Sequence, residues 1–225
     1  MRASLIIPAL NEADCLGQLL AEVPDDQVYQ VIVVDNGSTD NTAEVARGAG
    51  AIVVAEPRRG YGFACAAGAV AAEGDVLVFM DGDGSFVPGE LRGLLKPISQ
   101  DKAELVLGSR TLQDDSQRVA MPPHQRFGNR LFAWLLRQRY GLKLTDLGPY
   151  RAIERELLLA LEMQEHTYGW PLEMIIKTAR NHKRILELPV SYRPRFAGQS
   201  KVGGTLRGSV LSAYRYFHVM LRYAF

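Results

Sequence analysis

The sequence predicts an α/β protein built on a single doubly wound, mostly parallel sheet flanked by helices. Three observations carry that prediction. Apolar runs alternate with helix-like stretches through the first half of the chain. The runs are near-continuously apolar rather than alternating, the pattern of strands buried on both faces. The length, 225 residues, suits one large domain better than two small ones. At that size about 70–75% of the unfolded surface can leave water without help from disulfides or a structural metal.

Residues 3–7, 28–35, 51–55, 75–80 and 104–108 are rich in Val, Ile and Leu and read as short strands. Between them, 14–23, 40–49, 61–73 and 88–98 read as helices. Thr39 or Asp40 is placed to cap the second, and Pro88 suits the first turn of the fourth. After Arg110 the rhythm changes. Residues 111–123 are polar with two prolines and read as a loop, followed by helices at 124–140, 154–163 and 171–181 and an apolar strand at 184–190. A Gly-rich, Lys-containing connector at 198–204 leads into a last helix at 206–225. The expected organisation is one domain over 1–205, with halves 1–110 and 111–205, and a C-terminal amphipathic helix over 206–225.

Composition narrows the function. Lys and Arg number 26 against 25 Asp and Glu, so nothing favours a nucleic-acid partner. Cys15 and Cys65 stand fifty positions apart and read as reduced core thiols. The apolar run before Glu12 is too short for a signal peptide, and no stretch reaches the 18 or so uncharged apolar residues of a membrane span. The expectation is a cytoplasmic protein that can rest peripherally on the cytoplasmic face of the membrane. The four histidines lack metal-ligand spacing, and Trp134, with Leu131, Leu135 and Leu136, reads as helix core. Trp170 reads as packing rather than a sugar platform.

In open α/β sheets ligands bind beyond the carboxyl ends of the strands. Polar residues gather there in four places: Asn11-Glu12, Asp35-Asn36-Gly37-Ser38, Glu56 to Arg59, and Asp81-Gly82-Asp83-Gly84-Ser85. The last is the sharpest signal. A buried strand delivers two carboxylates separated by one glycine, an arrangement suited to Mg²⁺ or Mn²⁺ with positions left for substrate phosphates. Two chemistries use such a pair. In one, the metal neutralises the diphosphate of a nucleotide-sugar; in the other, a haloacid-dehalogenase-type phosphatase, the first aspartate is a nucleophile. The second needs a downstream acidic pair that the chain lacks. A non-catalytic sugar-nucleotide-binding module is a third reading. Gly60-Tyr61-Gly62 is a partial dinucleotide fingerprint with Cys65 where a third glycine should stand. It reads as a tight strand-to-helix turn that sets Arg58 and Arg59 near the ligand.

Seven motifs then stand in order: Ile7-Pro8-Ala9-Leu10-Asn11-Glu12; Val33-Val34-Asp35-Asn36-Gly37-Ser38-Thr39-Asp40; Asp81-Gly82-Asp83; Gly108-Ser109-Arg110; Arg126-Phe127-Gly128-Asn129; Thr145-Asp146-Leu147-Gly148-Pro149-Tyr150-Arg151; and Arg195-Phe196-Ala197-Gly198-Gln199-Ser200-Lys201. In this the chain resembles family 2 glycosyltransferases of the GT-A fold, in the branch that looks like dolichyl-phosphate mannose synthase. Asn36 replaces a second aspartate common in that branch, Ser85 stands where some members carry glutamine, and Gly148-Pro149 replaces a Ser-Gly pair.

The resemblance implies an inverting transfer of a hexose from a UDP- or GDP-linked donor. The implied acceptor is a polyprenyl phosphate at the cytoplasmic membrane face, with a soluble or glycan hydroxyl as the alternative. It implies that Pro8, Ala9, Asn11 and Glu12 line the nucleoside pocket with Gly37 and Gly82, Asp35 facing base or ribose. Asp83 would bind Mg²⁺ or Mn²⁺, and Asp81 would face metal, phosphate or sugar. Arg110 would hold donor phosphate; Arg126, Arg195, Ser200 and Lys201 would hold donor or acceptor phosphate. Asp146 and Glu173 are the candidate bases should the acceptor be a hydroxyl. In the last helix Leu206, Val210, Tyr214, Phe217 and Leu221 recur on one face, with Arg207, Arg215 and Arg222 on a neighbouring strip. That helix is expected either to lie in a membrane interface or to close the core.

Overall fold

The computed structural model describes residues 1–112, 123–198 and 206–224. Its centre is a sheet of seven strands: β1 (Ala3–Ala9), β2 (Gln30–Asp35), β3 (Ile52–Ala55), β4 (Val76–Phe79), β5 (Leu105–Ser109), β6 (Arg151–Glu154) and β7 (Ile185–Pro189). The strand order is β3-β2-β1-β4-β6-β5-β7. The first four strands pair in parallel, and β7 runs parallel to β5. Only β6 is antiparallel to its neighbours. The expected fold class is found, with β6 as an addition. Four residues with a charge at each end, Arg151-Ala152-Ile153-Glu154, give no strand signal of their own.

Around the sheet lie α1 (Ala13–Ala21), α2 (Thr42–Gly48), α3 (Tyr61–Ala71), α4 (Leu91–Ser99), α5 (Pro123–Tyr140), α6 (Arg155–Ala160), α7 (Trp170–Arg180) and α8 (Leu206–Tyr223). The cap of α2 is Asn41 rather than Thr39 or Asp40, and it makes no side-chain cap bond; Asp40, one residue earlier, accepts the Thr42 N–H at 3.0 Å. Pro88 opens a 3-10 turn that leads into α4.

Each central strand is buried on both sides, which explains the unbroken apolar runs. On β1, Ile6 packs with Val34, Ala64 and Leu77 under α3, while Leu5 and Ile7 pack with Leu16, Leu19 and Val78 on the opposite face. Both cysteines are buried and free. On α8, Val219, Met220 and Tyr223 join the core, whereas Tyr214, Phe217 and Leu221 face outward. The helix therefore closes the core with one face and leaves Tyr214, Phe217 and Leu221 of the periodic apolar face exposed. Trp170 is buried, as expected, but Trp134 is 55% exposed. Phe132, Ala133 and Leu136 turn the inner side of α5 to the core, and Trp134 falls on the opposite side.

Candidate active site

The ends of β1, β2, β4 and β5 open onto a cavity of about 660 Å³. Pro8 and Ala9 end β1 and Glu12 follows it, Asn36 follows β2, and Asp81, Gly82 and Asp83 follow β4. Arg110 follows β5, and Arg195 arrives from the segment after β7. The edge that the polar clusters marked is the edge that holds the cavity.

The two carboxylates differ in surroundings. Asp83 Oδ1 accepts from the Ser85 N–H at 3.0 Å and its hydroxyl at 2.6 Å, which fixes the side chain. Its Oδ2 lies 3.9 Å from Arg195 Nη1. Burial first, and then the charge of Asp83, push the Asp81 carboxyl up to about 7. The chain around them is held close. The Phe196 N–H donates to the Asp83 carbonyl at 3.1 Å, the Arg193 N–H donates to that of Ser85 at 2.9 Å, and Phe86 bridges Tyr192. Gly84 makes that approach possible. Its φ is +76°, and a Cβ there would stand 2.3 Å from the Phe196 ring. Arg195 thereby reaches Asp83 and also donates to Glu12 Oε2 at 2.7 Å.

Arg110 is fixed from behind. Asp146 is fully buried and takes Arg110 Nε at 2.7 Å, Nη2 at 2.8 Å and its backbone N–H at 3.0 Å. Asn129 Nδ2 and the Leu147 N–H complete its shell at 2.7 and 2.8 Å. Burial raises the Asp146 carboxyl, but the Arg110 charge and these hydrogen bonds outweigh it and hold the group below the usual carboxylate range. The expectation of Asp146 as a base is corrected on geometry: its carboxylate oxygens are turned to Arg110, Asn129 and the Leu147 N–H, and they hold the Arg110 guanidinium in place. Glu173 is corrected too. It is fully buried, accepts the N–H groups of Gln164 and Glu165, pairs with Lys177 at 2.9 Å and does not line the cavity.

Among the other expected residues, Asn11, Asp35 and Gly37 lie outside the lining and tie its loops together. Asn11 Oδ1 accepts the Thr39 N–H at 2.7 Å, Asp35 Oδ1 accepts the Ser38 N–H at 3.0 Å, and the Gly37 carbonyl accepts from Arg59 at 3.0 Å. Arg126 sits near the start of α5, half-buried, and the described lining does not include it. Ser200 and Lys201 lie outside the described residues, as do most of the expected loop at 111–123 and most of the connector at 198–204. Arg59 lines the cavity, while Arg58 turns to Glu56 at 2.7 Å and stacks over Phe63.

Sequence reasoning gave no part to Tyr61, Tyr192 or Tyr216, which line the cavity. It also gave none to Arg151, which is 1% exposed. Arg151 donates to the Pro171 carbonyl at 2.8 Å and to those of Leu147 and Gly148, joining two cavity walls. An arginine inside a motif of apolar and small residues was the one available signal.

Among the described residues no group of three His, Cys, Asp or Glu side chains is set to cage a metal ion. The donor set fits a hard divalent cation that takes one or two carboxylates and completes its shell with phosphate and water. The raised Asp81 carboxyl, crowded by Asp83, is the electrostatic strain such a cation relieves.

A mostly parallel sheet with this acidic edge defines a GT-A glycosyltransferase. The chain belongs to glycosyl transferase family 2, whose model matches residues 4–161. An uncharacterised glycosyltransferase of Mycobacterium tuberculosis is 40% identical over 96% of this chain and 97% of its own length. An undecaprenyl-phosphate mannosyltransferase of Micrococcus luteus is 33% identical over 94% of this chain and 91% of its own. A dolichyl-phosphate hexose transferase of Haloferax volcanii is 32% identical over 92% and 90%. Among solved structures, glucosyl-3-phosphoglycerate synthase of Mycobacterium tuberculosis, crystallised with Mn²⁺, UDP-glucose and phosphoglyceric acid, has a TM-score of 0.80. It is 24% identical over 99% of this chain and 79% of that one, a likeness of fold. Membership of the family displaces both the phosphatase and the non-catalytic module.

Proposed function

We propose that this glycosyltransferase moves a hexose, with inversion, from a UDP- or GDP-linked donor to a polyprenyl phosphate at the membrane surface. The observation that carries the acceptor class is the engagement of Asp146 and Glu173. Both candidate bases are locked in ion pairs, and a phosphate nucleophile, already anionic, needs neither. Two relatives named for undecaprenyl-phosphate and dolichyl-phosphate transfer support the same class.

In this reading Pro8, Ala9 and Glu12 border the nucleoside, and Asn11, Asp35 and Gly37 shape the loops beside it. Asp83, with Asp81, holds Mg²⁺ or Mn²⁺, which when bound neutralises the departing diphosphate. Arg110, pre-set by Asp146, meets charge developing on that diphosphate without reorganising. Arg195 leaves Glu12 for phosphate oxygens. Arg126, with Ser200 and Lys201 further along, serves the acceptor phosphate. The membrane contact is made through 206–225.

The test is a transfer assay with UDP-glucose and GDP-mannose, Mn²⁺ or Mg²⁺, and either undecaprenyl phosphate or a phosphorylated hydroxy acid as acceptor. Mass spectrometry should find a hexosyl phosphate lipid. A product formed only on the hydroxyl acceptor overturns the reading.

A further inference from the structure

Two helices of this chain carry charge of one sign. α5 holds four arginines and α8 three, and neither contains an Asp or Glu. The rest of the chain is left with 19 basic against 25 acidic residues. The near-neutral total therefore hides a cationic side.

The two helices lie against each other. Phe132 of α5 meets Tyr216 and Phe217 of α8 with ring centroids 5.1 and 5.0 Å apart. Seven residues on, Arg139 Nε donates to the Ala224 carbonyl, beyond the end of α8, at 2.8 Å. The constant offset makes the helices parallel neighbours.

Their outer sides repeat one pattern. Phe127 and Trp134 on α5 are 70% and 55% exposed, and Tyr214 and Leu221 on α8 are 63% and 70% exposed. Each pair is seven residues apart, hence on one strip of its helix. Exposed Arg130 and Arg137 lie three residues after Phe127 and Trp134, and half-buried Arg215 and exposed Arg222, the latter also donating to Gln164 Oε1 at 2.9 Å, directly follow Tyr214 and Leu221. Single exposed apolar side chains are ordinary; repeated strips of them beside arginines, without one carboxylate, are not. Aromatic rings with guanidinium groups alongside suit the boundary between acyl chains and phosphates. The inner sides of the same helices supply Asn129, Phe132, Ala213 and Tyr216 to the cavity.

We propose that the outer faces of α5 and α8 together form a docking surface for an anionic phospholipid bilayer. Phe127, Trp134, Tyr214 and Leu221 enter the interface, and the arginines meet lipid phosphates. Charge complementarity names the occupant, because an uncharged partner would leave the arginine strips unused. Among the described residues no helix is long and apolar enough to cross a membrane, so the contact lies along the surface. The inference deepens the reading of a lipid-borne acceptor and rests on it in one respect: the wall that touches the bilayer is a wall of the cavity.

Trp134 gives a direct measurement, since the only other tryptophan, Trp170, is 3% exposed. Titrating the full chain with phosphatidylglycerol vesicles should shift its emission to the blue, with quenching by brominated lipid, and phosphatidylcholine vesicles should do neither. Binding should fall at least tenfold in 0.5 M salt, in Arg130→Gln/Arg137→Gln, and separately in Phe127→Ser/Leu221→Ser. Transfer to a short-chain, water-soluble isoprenyl phosphate, measured in parallel, should stay within about twofold in these variants. Vesicle binding without any transfer to an isoprenyl phosphate sinks the acceptor reading and leaves the docking surface standing. Absent vesicle binding, equal binding by the variants, a preference for duplex DNA, or burial of Trp134 by self-association instead would each overturn the proposal.

Discussion

Asp146 grips Arg110 through two parallel hydrogen bonds, Oδ2 to Nε at 2.7 Å and Oδ1 to Nη2 at 2.8 Å, and presents the guanidinium to the cavity from below. The carboxylate is wholly buried and the guanidinium side chain is 14% exposed, so solvent neither screens nor replaces the pair. Asp146→Asn leaves a buried arginine without its counter-ion. We expect a loss of about 3–5 kcal/mol in urea unfolding, with kcat/KM falling alongside it. A variant of wild-type stability that lost only kcat would restore Asp146 as a base.

Asp81 stores the opposite kind of energy. Its carboxyl is raised to about 7 in the fold, by burial and then by Asp83, against about 3.9 in the unfolded chain. The protonated form is the one the fold prefers. Stability tied to this group is present below pH 4 and is lost as pH rises through 7. Asp81→Asn removes that loss. Without divalent cation it should melt above the wild type at pH 8, by roughly 2–8 °C, with the gap narrowing at pH 5 and closing only near pH 4. Equal melting temperatures at both values would mean that Asp81 is not strained. The same substitution should abolish activity.

Asp83→Asn tests the cation site from its other half. With its Oδ1 tied to Ser85, Asp83 has Oδ2 to offer a metal. Mn²⁺ binding followed by electron paramagnetic resonance, with nucleoside diphosphate present, should weaken at least tenfold in the variant while the fold is kept. Donor affinity unchanged by a chelator, in both proteins, would remove the metal from the mechanism.

Much of this was readable in the sequence for one physical reason: strands buried on both faces must be apolar, so β1, β2, β4 and β5 announce themselves, the partly exposed edge strands β3 and β7 show through their Val, Ile and Leu, and polar residues beyond the strand ends mark the ligand edge. Asp81 and Asp83 were found that way, whereas Arg110 and Arg195 were implied by the resemblance to the family's motifs; all four line one cavity. Pairing was not readable. Asp146 and Glu173 have the composition of bases, and only the positions of Arg110, 36 residues away, and Lys177 reveal that both are spoken for. Periodicity also marks which residues of a helix share a face without saying which face turns inward. Trp134 was therefore placed in the core, while Tyr214, Phe217 and Leu221 of α8, grouped on one face, are exposed together.

The ranking of Arg195 against Glu173 separates the two acceptor chemistries. Arg195 lines the cavity within 3.9 Å of Asp83, whereas Glu173 binds the backbone at Gln164 and Glu165 and the ammonium of Lys177. Arg195→Ala should cost about 10²–10³-fold in kcat/KM with a polyprenyl phosphate acceptor, the scale of losing one group that meets transition-state charge. Its melting temperature should move little. Glu173→Gln should do the reverse. It trades a buried ion pair for a neutral amide, so thermal stability should drop by about 1–3 kcal/mol. Turnover well below the melting point should stay within about threefold. Stability and rate thus read out on different variants, and pH gives a third readout: a base at Glu173 would add an acid limb to kcat that Glu173→Gln removes. That limb, together with a larger loss of turnover in Glu173→Gln than in Arg195→Ala, would make the nucleophile a hydroxyl.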